Sequence, residues 1–406
     1  MTPTSLRLLY AMMGIAIGLL LPFLVPLLDE RGLGAAQIGL VLGLSGLVSV
    51  VAYPVWGAIA DGWLGRRRSI AAATTMAALG GLAIVMAGDD PALLAVAISW
   101  TTAGLVPLTP LSDALALNSL GDDARDYGRA RAWASVGWAG AAIAAGLLWL
   151  LAGSTPVLLA FCAAALGVVA MLLLLIRRYV EPEAPDTVAA TVSPGIRAAR
   201  SRRWWPILAS PVLLGFMLGL LLVGIGEHAT MRYVGLRILD QGGSVFLVGL
   251  AAALPALLEI PVFTRSRAIS LRLGLRMVFV WGALIAGLLV LLIALASEAW
   301  MVMLLRSVDG IGYALRHVGM VLVIGLLLPR SMQAVGQSLG WLVLAGVAPI
   351  VGDVAGGYVY QGFGGTALFI TAAALLFAGG AITYFVLAGP RFVRAERPSP
   401  ESMTPA

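Results

Sequence analysis

Twelve apolar runs, each long enough to cross a bilayer as a helix, follow one another along almost the whole of this 406-residue chain. They lie near residues 7–28, 37–60, 69–87, 91–113, 131–152, 155–176, 206–229, 243–263, 276–296, 299–326, 332–359 and 365–388. Hydrocarbon offers no partner to a backbone N–H or C=O, so runs of this length must form helices that satisfy their own backbones. The fold expected is therefore an all-α membrane protein with 12 transmembrane helices. Composition agrees: charged residues are 11% of the chain, against about 25% in a soluble domain. The first run has no small-residue cleavage site before Asp29 and is followed by another long run, so it reads as a retained helix rather than a secretion signal.

The 26 basic residues are all arginines, and their positions matter more than the net charge of +6. With the N-terminus inside, alternate loops hold Arg66, Arg67 and Arg68, then Arg125 and Arg129, and clusters at 177–178, 197–203, 265–276 and 391–397. The opposite side holds only Arg31, Arg232 and Arg237. The positive-inside rule then places both termini in the cytoplasm, in a multi-pass protein of the plasma (inner) membrane. This asymmetry accounts for the arginines without any nucleic-acid partner. The lone cysteine, Cys162, sits in an apolar run as a packing residue.

The longest polar stretch, residues 177–205, divides the runs six and six. It separates an N-terminal half (1–176) from a C-terminal half (206–390), with a cytoplasmic tail at 391–406. Pro54 and Pro261, then Trp56 and Phe263, stand at matching places in the two halves. Two pseudo-symmetric six-helix halves would put a substrate site near the midplane, at their interface.

The stretch from Pro110 to Trp138 carries the first charged constellation. Asp113 falls near the end of the fourth run and Arg131 at the start of the fifth. Each charge costs roughly 2.5–3.5 kcal/mol in hydrocarbon on insertion scales, unless it is paired or faces water. Arg131, Ser135 and Trp138 at i, i+4 and i+7 share a helix face, offering a guanidinium, a hydroxyl and a flat aromatic to a small polar solute. The alternative is a charge pair that only locks two helices. In the tenth run Arg306, Asp309, Tyr313, Arg316 and His317 share another face, as expected of a cavity lining or a proton relay. Glu259, in the eighth run, either titrates or braces the Arg265/Arg267 loop. Glu227 and His228 fall near the outer end of the seventh run, where solvent exposure is the simpler reading. Tyr10 is either a cavity residue or an interfacial anchor, and Asp353 serves helix packing or an outer gate.

The stretch GAIADGWLGRRR resembles the cytoplasmic loop motif of the major facilitator superfamily, with Gly57, Asp61, Gly65, Arg66 and Arg67 at its key positions. The resemblance covers essentially the whole chain, and it implies that this loop stabilises one conformational state. Gly65 comes one residue late, and Gly62 stands where a basic residue is usual. YGRARAWASVGW is similar to the lactose-permease-like and phenylpropionate-permease-like branch, which implies substrate binding by Asp113, Arg131 and Trp138. Around the tenth run and beyond, Gly336 and Gln337 resemble the same branch. Tyr313 and Gln337 join the expected substrate residues, and the intramembrane charges make Asp309, Arg306, Arg316, His317 and Glu259 the expected proton-coupling residues. The branch's proton-carrying glutamate falls on Gly312 here, and the ninth run has no arginine, so galactoside specificity does not carry over.

These readings point to a secondary active transporter: a proton-coupled symporter of a sugar, a nucleoside or an aromatic or organic acid. A proton-antiport exporter uses the same architecture, and an intramembrane sensor or enzyme is the more remote class. No GxxxxGK(S/T) loop is present, and two histidines with one cysteine make a metal site improbable. A monomer is expected, with the substrate, protons and the lipid bilayer as its partners and no cofactor.

Overall fold

The computed structural model describes residues 3–120, 124–174, 209–328 and 332–388. The expected linker at 177–205 and the tail at 391–406 lie outside the described residues. Among the described residues every regular element is helical.

Among the described residues eleven apolar stretches are long enough to cross a membrane: Thr4–Glu30, Ala35–Leu64, Arg66–Met86, Pro91–Ala116, Arg129–Ala152, Ser154–Leu173, Pro211–Asp240, Val245–Thr264, Leu275–Leu295, Ala299–Leu327 and Val335–Val386. The last has 52 residues. At ~1.5 Å per residue it would run about 78 Å if straight, more than twice a hydrocarbon core of about 30 Å. It is not straight, because Gly364 breaks it with φ 83° and ψ 169°. The described residues therefore make twelve crossings, and an even number returns Pro3 and Ala388 to one face.

The duplication is written in the backbone. Gly65 (φ 75°) sets the turn before the third span, and Gly274 (φ 81°) sets the corresponding turn before the ninth. Gly32 and Gly242, then Gly153 and Gly364, form two more such pairs, each close to half a chain apart. A left-handed φ is cheap only without a Cβ, which is why the same residue type recurs at the same place in both halves.

The seventh span differs from its sequence reading. The helix runs from Pro211 to Asp240 rather than ending near 229. Arg232 and Arg237, expected on an outer loop, are therefore helical. Asp353 stands 3.5 Å from Arg232 Nε, and Arg237 Nη2 donates to the carbonyls of Ala294 and Ala296 at 3.1 and 3.3 Å. With partners of this kind, the charges do not end the helix.

The halves meet on the side away from the termini. A Cβ on Gly39 would stand 2.5 Å from the Asp353 carbonyl and 3.2 Å from Gly357 Cα, and one on Gly249 would overlap the Ala142 carbonyl. Across the same seam the Tyr233 hydroxyl reaches the Ala35 carbonyl at 3.5 Å, and the Ala36 N–H donates to Gln361 Oε1 at 2.9 Å.

Candidate functional site

A cavity of about 350 Å3 lies between the halves, walled by the first, fourth, fifth, seventh, eighth and tenth spans. It reaches toward the terminal side as far as Arg131, whose side chain is 42% exposed.

The N-terminal wall is built by close helix packing. Gly14 and Gly137 let the first and fifth spans touch backbone to backbone: a Cβ on either would overlap the carbonyl of Ala134 or Ala11. This contact carries Tyr10 to Asp113 and Arg131. The buried Tyr10 hydroxyl donates to Asp113 Oδ1 at 2.6 Å, and Arg131 Nε lies 3.6 Å from the same oxygen. The guanidinium stands 5.8 Å from the Tyr10 ring centre, within cation–π range. Arg131, Ser135 and Trp138 all line the cavity, as their shared face suggested, whereas Asp113 stands behind Arg131. Tyr10 is thus a cavity residue and not an interfacial anchor. Trp138 Nε1 donates to Ala252 O at 3.0 Å, so the indole offers its ring rather than its N–H.

The C-terminal wall holds a chain of alternating charges. Arg306 Nη1 donates to Asp309 Oδ2 at 3.1 Å, Asp309 Oδ1 accepts from Arg316 Nη1 at 3.3 Å, and Arg316 Nε donates to Glu227 Oε2 at 3.1 Å. Arg316, only 4% exposed, also donates to the Gly282 carbonyl at 3.1 Å. Two cations and two anions balance, which is what makes their burial tolerable. Glycine makes the room. A Cβ on Gly312 would stand 2.9 Å from Asp309 Oδ1 and 3.0 Å from Arg316 Nη1.

Sequence reasoning misplaced Glu227. It is not at a solvent-exposed helix end; it sits mid-helix, lines the cavity and holds Arg316. The signal available was Arg316 itself, since a buried guanidinium requires an acid beyond the Asp309 it shares with Arg306. His228 is likewise inside the bundle. Arg306, Tyr313 and Glu259 line the cavity, while Asp309 and Arg316 stand behind that surface. Glu259 lines the cavity, and among the described residues no salt bridge or hydrogen bond to it is seen. His317 lies outside the lining, in a ring cluster with Phe263, Tyr313 and Trp341 at centroid distances of 5.8, 5.9 and 5.2 Å. Gln337 is also outside it, and its amide donates to Val321 O at 2.9 Å.

A central cavity between duplicated six-helix halves is how a transporter is built, and comparison with known proteins decides which kind. The family described as "MFS_1 like family" matches residues 4–371. The chain belongs to that family of major facilitator superfamily transporters. It is 29% identical over 361 residues to the maltose permease of Geobacillus stearothermophilus, covering 88% of each protein. It is 22% identical to an uncharacterized transporter, YwbF, of Bacillus subtilis (strain 168), covering 93% of this chain and 91% of that one. Among solved structures it resembles the nucleoside transporter NupG, with a TM-score of 0.79 and 16% identity over 95% of this chain and 98% of that one. It also resembles a mutant of the peptide transporter POT, with a TM-score of 0.73 and 18% identity over 97% and 95%. These two likenesses concern the fold alone.

In this member of the superfamily the loop motif is compact. Asp61 Oδ1 lies 3.6 Å from Arg66 Nη2, across the turn that Gly65 makes with its positive φ. Gly57 and Gly62 have open space where a Cβ would be. Arg67 follows in the first turn of the third span. Among the described residues no cluster of His, Cys, Asp or Glu is arranged to hold a metal ion.

Proposed function

We propose that this transporter is a proton-coupled symporter that takes a small, neutral, hydroxyl-rich solute, a sugar or a nucleoside, across the inner membrane by alternating access. One observation carries the reading: Arg131, Ser135 and the Trp138 ring face one cavity, with Arg131 steadied from behind by Asp113 and Tyr10. A guanidinium and a hydroxyl suit ring hydroxyls, and the indole suits the apolar face of a ring. The charge balance argues against an organic acid as substrate. Arg131 is matched by Asp113, and Arg306 and Arg316 by Asp309 and Glu227, so no spare cation awaits a carboxylate.

The coupling proton belongs on Glu259 in this reading. Glu259 faces the cavity and, among the described residues, forms no ion pair, so neutralising it would break no salt bridge seen there. A proton on Asp309 would leave two arginines short of a partner. Asp309, with Arg306 and Arg316, then holds the C-terminal wall in shape. With both termini cytoplasmic, the closed seam through Gly39 and Gly249 faces outside and the cavity faces inward.

Proteoliposomes loaded at alkaline pH and placed in acidic medium test the reading. Glucose or uridine should accumulate above its external concentration, and an uncoupler should abolish this. Accumulation driven only by the opposite proton gradient would identify an antiporter, and no gradient-driven movement of either solute would reject the substrate class.

A further inference from the structure

The loop between the eighth and ninth spans is the second copy of the loop between the second and third, and the two copies treat charge differently. Gly65 (φ 75°) ends the first loop and Gly274 (φ 81°) ends the second, each just before the next span. Four residues before Gly65 stands Asp61, whose Oδ1 lies 3.6 Å from Arg66 Nη2. Four residues before Gly274 stands Ser270, a buried side chain whose hydroxyl donates to the Ser266 carbonyl at 2.8 Å. The acid of the first copy is missing from the second. Its basic residues are not: Arg265, Arg267, Arg272 and Arg276 all fall here, and no Asp or Glu occurs from Ile260 to Ser297.

The second loop folds into a short helix, Ser266–Leu273, between the end of one span at Thr264 and the start of the next at Leu275. Its inner side is held by Ser270 and by Ile269, which packs against Val262, Val278 and Leu315. Arg265 at the N-cap and Arg272 in the last turn are seven residues apart, so they share the outer face. Both are exposed, and among the described residues no ion pair to either is seen. Leu271, 69% exposed, stands next to Arg272 on that outer side. Where the helix ends, the Arg276 guanidinium lies 4.8 Å from the Tyr384 ring centre, and Phe385 beside it is exposed. Arginines, aromatic rings and a bare leucine at the ends of spans suit the boundary between headgroups and acyl chains. There a leucine meets hydrocarbon, and a guanidinium meets phosphate oxygens two at a time.

We propose that the outer face of the Ser266–Leu273 helix is a docking site for an anionic phospholipid of the leaflet on the side of the termini. Its phosphate supplies to Arg265 and Arg272 the counter-charge that Asp61 supplies within the first loop. A zwitterionic headgroup brings its own cation and answers only part of this need, so the charge of the face selects an anionic lipid. The site is independent of which solute is carried.

The test uses the full-length transporter in nanodiscs of phosphatidylcholine mixed with phosphatidylglycerol. Native mass spectrometry after release should find phosphatidylglycerol retained over phosphatidylcholine by about tenfold or more, relative to their shares in the disc. Arg265→Gln combined with Arg272→Gln should lose most of that preference. Arg7→Gln combined with Arg68→Gln removes the same charge on the same side of the bundle and should keep it. No preference in the unmodified protein, or equal losses in the two double variants, would reduce the effect to diffuse attraction and overturn the site. Thermal unfolding gives a second readout. Phosphatidylglycerol should raise the midpoint of the unmodified protein and leave that of the Arg265/Arg272 variant unchanged. Inorganic phosphate added to phosphatidylcholine discs should give no rise; an equal rise would assign the face to a soluble anion and reject the lipid. Should the double variant fold poorly in phosphatidylcholine, Arg272→Gln alone changes one exposed residue and should lower the preference by itself. A preference left intact in that variant would also overturn the site.

Discussion

Arg316 Nε donates to Glu227 Oε2 at 3.1 Å, joining the tenth span to the seventh through a bond between two buried or half-buried charges. The same guanidinium reaches Asp309, so one side chain satisfies two carboxylates. Removing one partner strands the other in a dry site. Glu227→Gln and Arg316→Gln should each destabilise the protein by about 3–5 kcal/mol. The double variant should recover part of the loss. Thermal unfolding in detergent checks this, and single variants with unchanged midpoints would show that the pair carries no structural weight.

Gly312 admits that network by having no side chain. Gly312→Ala should lower the unfolding temperature, because its Cβ would press on Asp309 and Arg316. Gly140→Ala is the control: nothing lies within 4 Å of a Cβ there, and alanine in a helix should be neutral or stabilising by up to ~1 kcal/mol. Equal effects at the two positions would mean that Gly312 is not there to make room.

Tyr10 and Arg131 meet at one oxygen of Asp113. Tyr10→Phe should weaken solute binding about tenfold or more while the protein still folds, since one hydrogen bond to a charged group is worth about 1.5–3 kcal/mol. Arg131→Lys should bind only slightly better than Arg131→Ala, because an ammonium does not reproduce the planar fork of a guanidinium. Near-normal affinity in Arg131→Ala or Asp113→Asn would reduce the pair to a lock between helices.

Glu259 and Asp309 should respond differently to neutralisation. Glu259→Gln should keep exchange of solute across proteoliposomes and lose pH-driven accumulation. Asp309→Asn should lose stability as well as transport, because Arg306 and Arg316 would share no carboxylate. An Asp309→Asn protein that folds normally and loses only accumulation would move the proton back to that residue.

Two close approaches seal the side away from the termini. Gly39→Val and Gly249→Val should each keep that side open, since a branched side chain cannot fit where a Cβ alone would overlap backbone. In a Cys162→Ala background, Ser135→Cys should then react faster with an impermeant maleimide added outside intact cells. Unchanged labelling would show that the seam closes by another route.

Much of the architecture was legible in the chain itself. The lengths of the apolar runs required helices, their number required twelve passes, and the repeat of Pro54 at Pro261 revealed two related halves. Periodicity alone put Arg131, Ser135 and Trp138 on one face, and they do line one cavity. These features depend on neighbours along one helix, and the order of the chain determines such neighbours.

Partnership across helices was decided only by the tertiary structure. Glu227 and Arg232 looked like the polar end of a span, yet each sits inside the bundle because Arg316 and Asp353 come to meet it. Gln337 and His317 sat in promising segments, but packing turned them away from the cavity. The reason is physical: the cost of a charge in the bilayer depends on its counter-charge, and the counter-charge lies on another helix, tens of residues away in sequence.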